Sequence, residues 1–264
     1  MKWSLKFKDG SKRLLPIGLV GLFIFALSVS DAITGQATQH SKDLRYRTFF
    51  GNCPARTAGT VTMELVSIFE QSRSLRTLKE HIGQMRLTEQ YFISDYDIEF
   101  DPYRNQLFFR YECPKPLMKV QIYKDSGLDS YEAILVEGGQ LYDPTYEVLL
   151  RVEGKLEGEI PYLAIPVGEF DENLQNEISQ IMTQMDSSFR STLAEVIVNE
   201  QRELTMILSV AGRASSVFLG ESLWEQKIEK LQRIVSFMGS EDKVPAIINL
   251  TNLKKVVVKF DDRP

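Results

Sequence analysis

The sequence predicts an α+β protein: an N-terminal transmembrane helix, a small β-α-α-β-β domain, then a larger, mostly antiparallel β-domain with two helices. Three observations lead there. An uncharged apolar run follows a basic N-terminus. Two stretches with helical spacing sit between short strand-like runs. Beyond residue 116, alternating apolar runs recur between turn sequences and are interrupted by two amphipathic segments.

The basic tail, residues 1–13, sets Lys2, Lys6, Lys8, Lys12 and Arg13 against the single Asp9. From Leu14 to Ser30 no residue is charged. At 1.5 Å per residue, about 17 residues cover roughly 26 Å, the short limit for a bilayer core. The transmembrane helix is therefore placed at residues 14–33. Its basic flank keeps the N-terminus cytoplasmic and sends the rest of the chain across the membrane. The sequence also admits a cleaved signal peptide ending at Ala32, with small residues at Ser30 and Ala32. Against cleavage, the apolar run is longer than an ordinary signal core, and Asp31 adjoins the scissile bond. Both readings put residues 34–264 outside the cytoplasm.

Residues 34–43 read as a polar linker. The next domain, residues 44–116, opens with a strand over residues 45–50, stopped by Gly51-Asn52. Val61, Leu65, Ile68 and Phe69 then recur at helical intervals, as do Leu75, Leu78 and Ile82, with Gly83 as the stop. ISDYDIEF and NQLFFRYE read as a hairpin through DPYR. Two helices on one side of three strands bury one face of a sheet.

The larger domain spans residues 117–264. LMKVQIY, YEAILVEG, YEVLLRVE and IPYLAIP read as strands, with the paired glycines Gly138-Gly139 and Gly154/Gly158 as hairpin turns between them. Asp171 is placed to cap a helix carrying Leu174, Ile178, Ile181 and Met185. STLAEVIVN, ELTMILSV and SSVFLG return to strand. A second helix carries Leu223, Ile228, Leu231, Ile234 and Val235, and AIINL and LKKVVVKF end the chain as strands. The methionines Met182, Met185, Met206 and Met238 fall at core positions.

Function classes narrow quickly. A net charge of −5 argues against nucleic acid as a partner, because phosphate binding needs a concentrated basic surface. With two histidines, His40 in the linker and His81 read as solvated, no metal site, cofactor or His-assisted nucleophile is expected. Asp95, Asp97, Glu99 and Asp101 alternate on one strand and read as a wet face. No catalytic residue is assigned, and the chain is expected not to be an enzyme. Cys53 and Cys113 either form a disulfide or pack as two separate small residues. A bridge closing about 60 residues would stabilise the fold by roughly 4 kcal/mol.

The final strand poses the binding question. Over residues 253–260 it places Val256, Val258 and Phe260 on one face and Lys255, Val257 and Lys259 on the other. AIINL flanks one edge; the other is open. Lysines on an edge block unwanted pairing, and the same lysines can select an acidic partner.

Several stretches resemble the FtsQ/DivIB cell-division family, in which a POTRA domain follows a membrane helix and a β-domain follows the POTRA. FFGN looks like the close of the family's first POTRA strand, and ISDYDIEFDPYRNQLFFRYECPKP like its hairpin. LVEGGQLYD, Ile160-Pro161 and SSVFLGESLWEQKIEKLQRIV through IINLTNLKKVVVKF are similar to its β-domain. Asn249-Leu250-Thr251-Asn252 stands where family members often have Asp-Leu-Arg-Tyr, and so departs from the pattern at Asn249, Thr251 and Asn252. The spacing from Glu112 to Pro116 is one residue longer. The resemblance implies a non-enzymatic divisome scaffold in the inner membrane at the division septum. It further implies a partner, the periplasmic FtsB–FtsL pair, adding a strand at Asn252, Leu253, Lys254, Lys255, Val256, Val257, Val258, Lys259 and Phe260. Other divisome proteins would meet the POTRA-like domain. The alternative is a secreted or anchored envelope hydrolase or binding protein unrelated to division.

Overall fold

The computed structural model describes residues 44–123, 130–165, 170–210, 212–240 and 244–260. The expected basic tail, transmembrane helix and linker lie outside the described residues. Among the described residues, no helix is long and apolar enough to cross a membrane.

The first lobe contains β1 (Arg45–Phe49), α1 (Ala55–Ser72), α2 (Leu75–Ile82), α3 (Leu87–Tyr91), β2 (Asp95–Asp101) and β3 (Gln106–Glu112). Among the described residues its sheet is three-stranded, in the order β1-β3-β2, with β1 parallel and β2 antiparallel to the central strand. Helix α1 buries Val61, Leu65 and Phe69, the stripe its spacing predicts. Ser74 caps α2 by accepting the Thr77 N–H, and the hairpin turn forms on Asp101, whose Oδ1 accepts the N–H groups of Tyr103 and Arg104. Gly83 does end α2, but at φ −66°, so no left-handed turn is involved. Helix α3 was not expected, since five residues are too few to show a helical period. His81, read as solvated, instead lies 2.8 Å from Glu64 Oε1, because α1 and α2 pack side by side. The acidic face of β2 is partly neutralised from the neighbouring strand: Arg110 meets Asp97 at 2.8 Å and Glu99 at 3.4 Å.

The second lobe follows with β4 (Pro116–Tyr123), β5 (Ser130–Val136), β6 (Leu141–Tyr142), α4 (Thr145–Val152), β7 (Tyr162–Ile165), α5 (Glu172–Gln184) and α6 (Ser187–Arg190). It continues through β8 (Leu193–Val198), β9 (Leu204–Val210), β10 (Arg213–Gly220), α7 (Trp224–Ser240), β11 (Pro245–Asn249) and β12 (Val257–Phe260). Among the described residues these strands form one nine-stranded sheet, in the order β12-β11-β10-β9-β8-β7-β4-β5-β6. Most of its junctions are antiparallel, as expected, but the sheet is mixed, with parallel junctions at β4/β7, β7/β8 and β10/β11. Helical crossovers cause two of these: α5 carries the chain from β7 to β8, and α7 from β10 to β11.

YEVLLRVE, expected as a strand, is helix α4. Asp143 Oδ1 accepts the Thr145 N–H, Pro144 opens the helix, and Tyr146 and Leu150 bury one helical face. The β-branched residues that imitate a strand, Val148 and Val152, are the solvent face of this helix. Gly154 and Gly158 consequently follow a helix, at φ 66° and 75°, and do not turn a hairpin. Asp171 caps α5 through the Leu174 N–H. In α7 the stripe begins at buried Trp224, whereas Leu223 stands exposed just before the helix.

Two cores result. One lies between the large sheet and α5 and α7, and it includes Val120, Leu163, Ile178, Val217 and Leu231. The other joins α1, α2 and the small sheet to Ile134, Val136, Tyr142, Tyr146 and Leu150 of the second lobe. Strand β5 serves both: Ala133 and Leu135 point into the first core, Ile134 and Val136 into the second. Each large apolar side chain fully buried there contributes about 1.5–3 kcal/mol.

Polar contacts reinforce this joint. Cys53 and Cys113 form a disulfide with Cα atoms 5.0 Å apart. Beside it, Asn52 donates to the Cys113 carbonyl and accepts the Cys113 N–H. Pro54 begins α1 with no side-chain cap, and the vacancy is filled from the other lobe: Glu153 accepts the N–H groups of Ala55 at 2.7 Å and Arg56 at 3.2 Å. Lys155 donates to the Cys53 carbonyl, and the Tyr146 hydroxyl donates to Pro114 at 2.5 Å. Burial alone would raise the Glu153 pKa. The N–H donors of Ala55 and Arg56, together with Lys155, outweigh it and hold the carboxyl below its ordinary range.

Candidate functional site

Past Asn249 the chain reverses on two asparagine side chains. Asn249 Oδ1 accepts the Thr251 N–H at 3.0 Å and its hydroxyl at 2.8 Å. Asn252 Oδ1 then accepts the Lys254 N–H at 2.9 Å, and its carbonyl accepts the Lys255 N–H at 3.2 Å. Such local bonds compete with a ladder. Strand β12 therefore starts at Val257, and the expected strand over 253–260 is shortened to its last four residues.

Strand β12 runs antiparallel to β11, with Val257 opposite Asn249, Val258 opposite Ile248, Lys259 opposite Ile247 and Phe260 opposite Pro245. No strand lies on its other side among the described residues. Val258 is half-buried, and Val256 packs on the first core from the turn. Val257 is 50% exposed and Phe260 39%, and Lys259 is exposed beside them. Asn252, Lys254 and Lys255 stand exposed on the turn, and Leu253 is half-buried there. The candidate residues thus divide into a short open strand and the loop leading to it. Lys254, Lys255 and Lys259 form no ion pair with a described residue, so their charges are available to a ligand.

Support for the edge comes from α7, from residues the sequence did not single out. Lys230 Nζ donates to the Leu253 carbonyl at 2.8 Å, fixing the turn before β12. Lys227 Nζ donates to the Leu219 carbonyl at 2.5 Å, and Trp224 Nε1 to the Gly220 carbonyl at 2.6 Å. Lys227 is buried, and burial lowers its ammonium pKa, with Glu221 opposing the shift. One sequence signal marked it: position 227 lies three residues after Trp224 and four before Leu231, on the buried stripe. Gly220 adopts φ 70° and lies against Thr251, whose methyl would sit 3.4 Å from any added Cβ. The turn and the end of β10 are therefore closely packed.

The arrangement can pair an extended segment along main-chain groups and read its side chains through Val257, Lys259 and Phe260. The described residues include no group of three His, Cys, Asp or Glu side chains able to hold a metal ion. His40 lies outside them. The cysteine pair belongs to the joint between the lobes and takes no part in this edge.

No family model matches the chain, and no curated protein matches it. Among solved structures, the chain is similar to the major extracytoplasmic domain of the trans isomer of the bacterial cell division protein DivIB from Geobacillus stearothermophilus. That likeness spans 50% of this chain and 96% of the other, at 14% identity and a TM-score of 0.30. At that level the functional reading rests on this chain's own residues.

Proposed function

We propose that this chain is a non-enzymatic, single-pass scaffold of the bacterial division machinery that receives a partner strand at β12. In this reading the N-terminus is cytoplasmic and the inner membrane is spanned once. The two lobes work outside the cytoplasm at the septum, with the POTRA-like lobe meeting other divisome proteins. The partner is the FtsB–FtsL pair, as the resemblance of the C-terminal stretch to the FtsQ/DivIB family implies. One observation carries the reading: a four-residue, largely exposed strand ends a long sheet, with no described strand on its outer side. Strand addition there continues the sheet, and three lysines that form no ion pair with a described residue favour an acidic segment.

The test is a pull-down of the full-length chain, purified in detergent, with an FtsB–FtsL ectodomain. Val257→Pro, checked for an unchanged melting curve, is expected to abolish capture, since proline opposite Asn249 breaks the pairing of β12 with β11 and so removes the short edge a partner would extend. Absence of capture by the unmodified chain removes the partner. Full capture by a folded Val257→Pro chain moves the site elsewhere.

A further inference from the structure

The sheet of the first lobe is covered by α1 and α2 on one face, where Ile98, Leu107, Phe109 and Tyr111 are buried. Its other face, where Arg47, Phe49, Asp97, Glu99 and Arg110 are exposed among the described residues, is divided by charge. Register places Arg45, Gln106 and Asp101 in one row, Arg47, Phe108 and Glu99 in the next, and Phe49, Arg110 and Asp97 in a third. Every row with two charged ends runs from a cationic residue on β1 to an anionic one on β2. Both strands are edges of this sheet. Arg45 and Arg47 have no carboxylate partner among the described residues, and Arg47 rests 4.9 Å from the ring of Phe49, itself 39% exposed.

We infer that β1 of one copy pairs with β2 of a second copy, so that the first lobes assemble side by side into an open row. The geometry inside one copy shows what such pairing offers. Arg110, on the strand next to β2, reaches Asp97 at 2.8 Å and Glu99 at 3.4 Å. A β1 strand added on the free side of β2 stands at the same interstrand spacing of about 4.8 Å. It brings Arg47 to Glu99 and Arg45 to Asp101, and sets Phe49 beside Asp97.

Direction also agrees. β1 is parallel to β3 and β2 is antiparallel to it, so a copy related by simple translation presents its β1 antiparallel to the neighbour's β2. Translation keeps these charge-divided faces on one side and leaves a free edge at each end, the mark of a heterologous, non-closing contact. The charges also exclude alternatives: β1 against β1 sets arginines together, and β2 against β2 sets carboxylates together. This contact is independent of strand addition at β12. One short strand from each copy makes an interface below the roughly 1,200 Å² of stable complexes, so the association is weak.

The experiment is sedimentation of the full-length chain in detergent up to its highest soluble concentration, at low and high salt. The chain is expected to self-associate, less so at high salt. Arg47→Glu and Glu99→Arg are each expected to weaken association by about tenfold. Arg110 keeps Asp97 in the second variant. Mixing the two is expected to restore association, because each variant then meets a complementary edge on the other. Melting curves confirm folding, and Arg47→Gln with Glu99→Gln replace any variant that fails to fold. A chain monomeric throughout, variants that associate like the wild type, or a mixture that stays apart overturns the inference.

Discussion

The joint between the lobes and the C-terminal edge sit at opposite extremes of how one chain spends its polar groups. At the joint, backbone and side chains are satisfied across lobes: Glu153 caps α1, Asn52 meets Cys113 twice, and Lys155 reaches Cys53. At β12, one side of a four-residue strand meets β11 and the other meets no described strand. A joint tied by such bonds stabilises the fold. An open edge contributes little to stability and offers a row of donors and acceptors. Removing contacts at the joint should therefore change stability, whereas changes at the edge should alter local order and binding.

The largest effect is expected from the disulfide. Replacing both Cys53 and Cys113 by alanine should lower unfolding free energy by about 4 kcal/mol in urea titrations, with the first lobe melting earlier. Next is Glu153→Ala, which deletes the cap supplied from the second lobe and should cost about 1–2 kcal/mol. The same residue gives an acid signature. Its folded pKa lies below its unfolded value, so its contribution is present above the unfolded pKa of about 4.3 and is lost as pH falls through the folded one. Glu153→Gln should flatten that part of a stability-versus-pH curve; an unchanged slope would count against the cap.

Smaller still is Lys230→Met. Loss of its bond to Leu253 should cost about 1 kcal/mol locally and speed hydrogen exchange across residues 253–260 several-fold, with the joint unaffected. The smallest change tests the joint from the other direction. Tyr142 is buried between Phe92 and Tyr146, with ring centroids at 5.6 Å and 5.2 Å, and its hydroxyl has no hydrogen-bond partner among the described residues. Burial pushes its pKa up to about 12. Tyr142→Phe should leave stability unchanged or raise it by up to about 1 kcal/mol, read from the same urea titrations.

Much of the fold was legible along the chain because its signals are local. The α1 stripe, the Asp171 cap, the β2–β3 hairpin and the alternation within β4, β8 and β9 follow from spacing alone. Residues 146–153 misled because Tyr, Val and Leu suit a strand in composition, while the Asp143-Pro144 start and the i, i+4 burial of Tyr146 and Leu150 favour a helix. At the candidate edge, the alternation of Val256, Val257, Val258 and Lys259 could be read, but its true start could not. Two asparagines divert the backbone into a turn, and the length of that turn depends on where β11 ends. Lys227 and Lys230 were missed because a lysine's acceptor can be any carbonyl brought near by folding.

By itself the sequence determined an α+β chain with two helix-bearing regions, an acidic strand over residues 95–101 and a lysine-bearing final strand. Those properties reside in residue type and short spacing, which covalent neighbours enforce. The tertiary structure alone decided that the large sheet is mixed, that β5 feeds two cores, that Glu153 caps a helix about a hundred residues earlier in the chain, and that β12 keeps four residues with no described strand on its outer side. Each depends on which distant segments meet. That choice is made by burying apolar faces together while leaving no main-chain group stranded, a condition satisfied by the whole chain and not by any one segment of it.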